Sequence, residues 1–240
     1  MQYSQIYFSD NNQDLDGIIL NNTKLIQNLA NIQGLDYRLY TLDKAREFLD
    51  STFGTEVKQA FDTLAPYSYK ADLVRYCLLY KYGGWYFDLG VRSNGISIDM
   101  SNTEALFFKD AINPGLPTWD TSTAVIYSNP RNTVFKIAIE LICENVKNRY
   151  YGFTPLSPTG PTLLGRALAI AGERTGTIFG HLLALTPNFY KKNHAFLLPD
   201  GTIIAWGKDH WGNADFPLSR YGAPGTNNYS ELYRERRIYL

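Results

Sequence analysis

Apolar and polar positions alternate most tellingly in residues 68–93, SYKADLVRYCLLYKYGGWYFDLGVRS. Ala71, Leu73, Val74, Tyr76, Cys77, Leu78, Leu79 and Tyr80 fall on nearly every face of a helix, which predicts a helix buried on all sides. Gly83 and Gly84 stop it, because the residue just past a helix commonly needs a left-handed backbone. Trp85, Tyr86 and Phe87 then read as a short strand running into Asp88.

The same reading covers the rest of the chain. Residues 5–9 predict a strand that stops in an Asn/Asp-rich loop. Leu15, Ile18, Ile19, Leu25, Ile26 and Leu29 predict an amphipathic helix that ends near Gly34. A half-buried strand over 36–40 follows, then a helix capped by Thr41 or Asp43, then another over 56–64 closed by Pro66. Past Arg92, strands are expected at Ile96 and Ile98, over 105–108 and over 124–127. Val134, Ile137, Ala138, Leu141 and Ile142 make a helical stripe. Pro161 suits the first turn of a further helix.

The last third turns β-rich. Strands are expected over 177–179 and 183–186, and a hairpin over 196–206 about Pro199-Asp200-Gly201. A charged helix over 230–237 reads as a solvated cap. Alternating strands and helices predict an α/β fold with a mixed, mostly parallel central sheet flanked by helices. No repeat or linker interrupts it, so residues 1–240 read as a single domain.

Two polar residues stand out in the buried helix. Asp72 and Arg75 are three apart and share a face, so they form either a buried ion pair or a pair aimed at a polar ligand. Asp88, at the carboxyl end of a strand, favours the second, since ligands of α/β sheets bind there.

With those residues in view, the chain resembles the glycosyltransferases with a DXD sugar-binding region, the family 32 group. That group includes yeast-type mannosyltransferases, capsule and O-antigen transferases, and clostridial glucosylating toxins. The family's Asp-x-x-Arg helix followed by Gly-Gly-x-Tyr-x-Asp-x-Asp is met at Asp72, Arg75, Gly83, Gly84, Tyr86 and Asp88. It is broken at the last position, where Gly90 replaces the second acid.

The resemblance implies a GT-A-like fold, with a nucleotide-sugar-binding core over about 1–130 and acceptor-side elements over about 131–240. It implies a retaining hexosyltransferase that uses a UDP- or GDP-sugar and a glycan or lipid-linked glycan acceptor, acting in surface polysaccharide synthesis. Asp72 and Arg75 would grip sugar hydroxyls. Asp88 would hold a divalent cation, Mn²⁺ before Mg²⁺, at the leaving diphosphate. Gly84 and Tyr86 would complete the donor site. His210 would be a second ligand, or else an exposed loop histidine. Tyr7 and Phe8 are candidates for stacking on the base, or for core packing. Thr159-Gly160-Pro161 reads first as a helix start and second as a loop facing substrate.

Composition narrows the field further. At 240 residues with zero formal net charge, the chain has a full core and no bulk attraction for nucleic acid or an anionic membrane. Eighteen tyrosines and thirteen phenylalanines suit either carbohydrate faces or ordinary packing. Cys77 and Cys143 form no motif and fit a reducing compartment. No ~18-residue apolar run or basic leader occurs, so a cytoplasmic protein is expected, peripheral at most to a membrane through its acceptor. There is no dinucleotide fingerprint, P-loop or local nucleophile signature. A non-catalytic nucleotide-sugar binder of the same fold is the alternative, and a hydrolase with paired carboxylates is a third reading.

Overall fold

Alternation along the inner strands divides the core into two layers, one on each face of a single sheet. The computed structural model describes residues 1–10, 14–15, 17–110, 115–172, 175–184, 194–207 and 228–240. Its elements run β1 (Gln2–Ile6), α1 (Gly17–Ile32), β2 (Asp36–Tyr40), α2 (Leu42–Phe53), α3 (Thr55–Thr63), α4 (Tyr67–Tyr82), β3 (Gly84–Phe87) and β4 (Arg92–Ser93). They continue with β5 (Ala105–Lys109), β6 (Thr121–Ser128), α5 (Thr133–Lys147), α6 (Pro161–Ala171), β7 (Thr177–Ala184), β8 (His194–Leu197), β9 (Ile203–Trp206) and α7 (Tyr229–Arg234). The nine strands lie in the order β2-β1-β3-β6-β5-β7-β8-β9-β4.

Successive side chains of a strand point to opposite faces, and the two hydrophobic clusters follow that rule. Tyr86, Phe107 and Ile126 join α2 to α6 on one face. Trp85, Phe87, Leu106, Phe108, Val125 and Tyr127 pack with Ile26, Leu29 and Ala30 of α1 on the other. The α/β class is as expected. Among the described residues parallel pairing, expected to dominate, is confined to β1–β2, β1–β3 and β5–β7, and the other five pairs are antiparallel.

Helix α4 is buried as its sequence predicts, packing against α5, β1, β3 and β6. Its polar residues are inside too. Lys70 is 8% exposed and donates its ammonium to the carbonyls of Phe61 and Asp62, in the last turn of α3. Both cysteines are free and buried.

Four expectations are corrected. The first strand is residues 2–6 and not 5–9, because its polar Gln2 and Ser4 are satisfied inside: Gln2 Nε2 donates to Ser4 Oγ and to Tyr40 Oη. Ile96 and Ile98 lie in no strand, and the short β4 precedes them. The two strands expected over 177–186 are one, β7, held by β5 on one side and β8 on the other.

The C-terminal helix is not a solvated cap. Leu232, Ile238 and Tyr239 are buried, and the tail is tied to residues 63–65 by backbone hydrogen bonds from Ala65 to Ile238 and from Leu240 to Thr63. Among the described residues no helix is long and apolar enough to cross a membrane.

Candidate active site

The backbone explains the two glycines first. A Cβ on Gly84 would lie 2.1 Å from the carbonyl oxygen of Gln2, and one on Gly83 would lie 2.6 Å from Pro130 N. Both also have positive φ, +63° and +92° respectively for Gly83 and Gly84. Only glycine lets the chain leave α4 and enter the sheet directly beside β1. Strand β3 therefore starts at a fixed point and delivers Asp88 at its carboxyl end, anchored by Asp88 N donating to Ala124 O at 2.8 Å.

Asp88 is the outward member of a charged chain. Its side chain is 39% exposed, and its Oδ1 lies 3.1 Å from Arg75 Nη1 and accepts from Tyr86 Oη at 2.7 Å. Arg75 sits behind it, 4% exposed, with its guanidinium 4.6 Å over the Tyr86 ring. The other end of the fork reaches Asp72, with Nη2 3.3 Å from Oδ1, and Nη1 also donates to the carbonyl of Thr123. Asp72 is 6% exposed, and its Oδ2 accepts from Thr159 Oγ1 at 2.7 Å. The carbonyl of Thr159 in turn accepts from Tyr76 Oη at 3.1 Å.

Burial pushes the Asp72 carboxyl up to about 6, while Arg75 and the Thr159 hydroxyl pull the other way. Burial alone would lower Arg75, but Asp88, Tyr86 and Asp72 around it carry it above its ordinary value. The guanidinium is thus a permanent cation locked between two carboxylates.

The structure brings Asp72, Arg75, Tyr86 and Asp88 together. Gly84 stands at the head of the same strand, against β1. Tyr7 and Phe8 follow β1 and are 7% and 8% exposed, with Phe8 set edge-on against Phe61 and Tyr67. His210 lies outside the described residues. Gly90 is buried in the turn after Asp88, where Val91 N donates to Asp88 O at 3.0 Å.

Thr159 is the residue that sequence reasoning placed first as a helix start and only second as a loop facing substrate. It reaches Asp72 across 87 positions, and the Thr-Gly-Pro run was the one signal that could have found it.

A cation site can be tested against these atoms. Among the described residues no three His, Cys, Asp or Glu side chains cluster as metal ligands. Asp88 Oδ1 is shared by Arg75 and Tyr86, which leaves Oδ2 as its other donor atom. One carboxylate oxygen is far short of the six or more oxygens that a hard cation takes, so these residues alone do not fit a preformed site.

Comparison with known families points the same way as the geometry. Residues 3–100 match the family described as "Glycosyltransferase sugar-binding region containing DXD motif". Asp72, Arg75, Gly83, Gly84, Tyr86 and Asp88, which carry the resemblance, all fall within that match. The family generally binds a divalent cation.

Two solved structures are similar. The PaToxG glycosyltransferase is 12% identical over 70% of this chain and 67% of its own, with a TM-score of 0.48. A glycosyltransferase involved in the glycosylation of the major capsid of PBCV-1 is 10% identical over 75% of this chain and 81% of its own, with a TM-score of 0.41. No curated protein matches the chain.

Proposed function

We propose that this protein is a glycosyltransferase that moves a hexose from a nucleotide-diphosphate donor, a UDP- or GDP-sugar, to a glycan or lipid-linked glycan acceptor. The observation that carries the reading is Asp88: a half-exposed carboxylate at a strand's carboxyl end, oriented from behind by Arg75 and Tyr86. Asp88 touches the donor in this proposal. Arg75 and Asp72 are positioning residues, since both are buried and their polar atoms are spent on Asp88, Thr123 and Thr159. Tyr7 and Phe8, 7% and 8% exposed, take no base-stacking role in this proposal.

Retention of anomeric configuration belongs to the same proposal and comes from the family resemblance. It needs no protein nucleophile, and none is assigned. A cation, when bound, supplies Lewis-acid stabilisation of the leaving diphosphate. In this proposal the enzyme's acceptor belongs to surface polysaccharide synthesis, and the enzyme works in a cytoplasmic setting.

The test is a thermal-shift and nucleotide-release screen against UDP-, GDP- and CMP-sugars, with and without Mn²⁺. Stabilisation by one nucleotide class, with slow release of its diphosphate that Asp88→Asn abolishes, is the expected result. Binding without turnover under every condition would favour a non-catalytic nucleotide-sugar binder. That second reading draws on Gly90, which removes the second acid of the motif.

A further inference from the structure

A second feature lies at the head of α6, in the same turn that contacts Asp72. A groove of about 190 Å³ runs between α6, residues 150–157 and Trp119, with Thr162, Leu163, Gly165 and Arg166 along one wall. Its rim is aromatic and open: Trp119, Tyr150 and Phe153 are 52%, 38% and 63% exposed. Trp119 and Phe153 meet edge to face at 6.4 Å. Exposed aromatics gathered at one groove are unusual enough on a soluble surface to mark a binding site.

The groove is built and held. A Cβ on Gly165 would lie 2.1 Å from the carbonyl oxygen of Trp119, so this glycine seats the 119–120 backbone directly on α6. On the other wall, buried and half-buried side chains clamp the carbonyls of the loop. Tyr239, Tyr233, Tyr69 and Asn145 donate to the carbonyls of Tyr150, Gly152, Pro155 and Pro158.

Beside the groove wall, Asp120 is 5% exposed and faces the hydroxyl of Thr162, which is its natural donor. Arg166 is exposed on the same wall and forms no ion pair among the described residues.

We infer that this groove is a saccharide subsite, taking one pyranose ring of the acceptor against Trp119 and Phe153 with its hydroxyls toward Thr162 and Arg166. A pyranose has a C–H face for an aromatic ring and a rim of hydroxyls for hydroxyl and guanidinium groups. The volume is below the ~300–1,000 Å³ of ordinary ligand pockets, which suits a single ring and excludes a whole nucleotide sugar. Placement on the acceptor side rests on the proposed function. Thr159 holds Asp72, and Thr162, three residues on, lines the groove, so the two sites share one turn.

Saturation-transfer NMR with the methyl α- and β-pyranosides of glucose, galactose and mannose tests this. Wild type should saturate the C–H face of at least one glycoside, and Trp119→Ala and Phe153→Ala should each weaken it about tenfold. Both residues are exposed, and circular dichroism checks that the variants stay folded. No signal from any of the glycosides, or a signal unchanged in both variants, overturns the inference. So does a wild-type dimer that Trp119→Ala dissociates, which would make the groove a protein contact. UDP and GDP binding is read in the same samples. Glycoside binding without nucleotide binding sinks the donor reading and leaves the subsite standing; the reverse sinks the subsite alone.

Discussion

Arg75 Nη1 lies 3.1 Å from Asp88 Oδ1, joining a guanidinium sealed inside a helix to a carboxylate open at a strand's end. The contact fixes the direction of the exposed group by means of one that solvent does not reach. It also divides the consequences of mutation between the two residues.

Removing Arg75 leaves Asp72 buried without its cation, so that its carboxyl must stay charged unpaired or take up a proton. Arg75→Ala should therefore cost about 3–5 kcal/mol in urea unfolding. Asp88 is half-exposed, and Asp88→Asn should stay within about 1 kcal/mol of wild type while abolishing donor turnover. If Asp88→Asn retains activity, Asp88 is not the donor contact. If it unfolds the protein, its role is structural.

Gly84 gives a separate test of how the site is positioned. A methyl group there meets the Gln2 carbonyl at 2.1 Å in a backbone with φ of +92°. Gly84→Ala should lose more than about 4 kcal/mol or fail to fold, well beyond the cost of an ordinary helix-end glycine. Gly54 has positive φ too, but a Cβ added there would meet no atom within 4 Å, so Gly54→Ala is the milder control. Equal losses at the two would show that backbone strain alone, and not the approach of β1, requires glycine at 84.

Asp72 gives the stability a specific pH dependence. Its carboxyl is held near 6, above its ordinary 3.8, so the folded state binds this proton more tightly than the unfolded chain. The resulting stability is fully present below about pH 4 and is lost as pH rises through 6, a change on the order of 3 kcal/mol. Unfolding free energies of wild type and Asp72→Asn, subtracted pH by pH, isolate that contribution. The difference should fall between pH 4 and 7. A flat difference would mean that Asp72 titrates normally in the fold.

Much of this was legible in the residues, for reasons that also explain the failures. The buried helix, the glycine stop and the Asp88 strand are local features, each written within a few positions. Thr159 is different, because its bond to Asp72 spans 87 positions and only the Thr-Gly-Pro run around it hints at a role beyond starting a helix. Burial of Gln2 and Ser4 is likewise invisible to periodicity, which assigns polar residues to solvent unless their partners are known. The C-terminal helix misled for the same reason. Its charges face water, but Leu232, Ile238 and Tyr239 close the core through contacts with residues far upstream.

The metal is where this chain departs from the motif it otherwise matches. Aspartates two apart at a strand end offer carboxylates from two residues, and Gly90 removes one of them. The other has half its capacity engaged, since Asp88 Oδ1 already serves Arg75 and Tyr86. Mn²⁺ titrated calorimetrically into the protein alone should therefore bind more weakly than about 1 mM. With UDP or GDP present, diphosphate oxygens make up the shell, and binding should tighten by at least about tenfold. His210→Ala should erase any preference for Mn²⁺ over Mg²⁺ if that imidazole is a ligand, because nitrogen ligands favour the former. Tight binding without nucleotide would mean that further ligands exist beyond Asp88. Full turnover in excess chelator would mean that the leaving diphosphate is neutralised by basic side chains, and Asp88 would then act on the sugar or ribose alone.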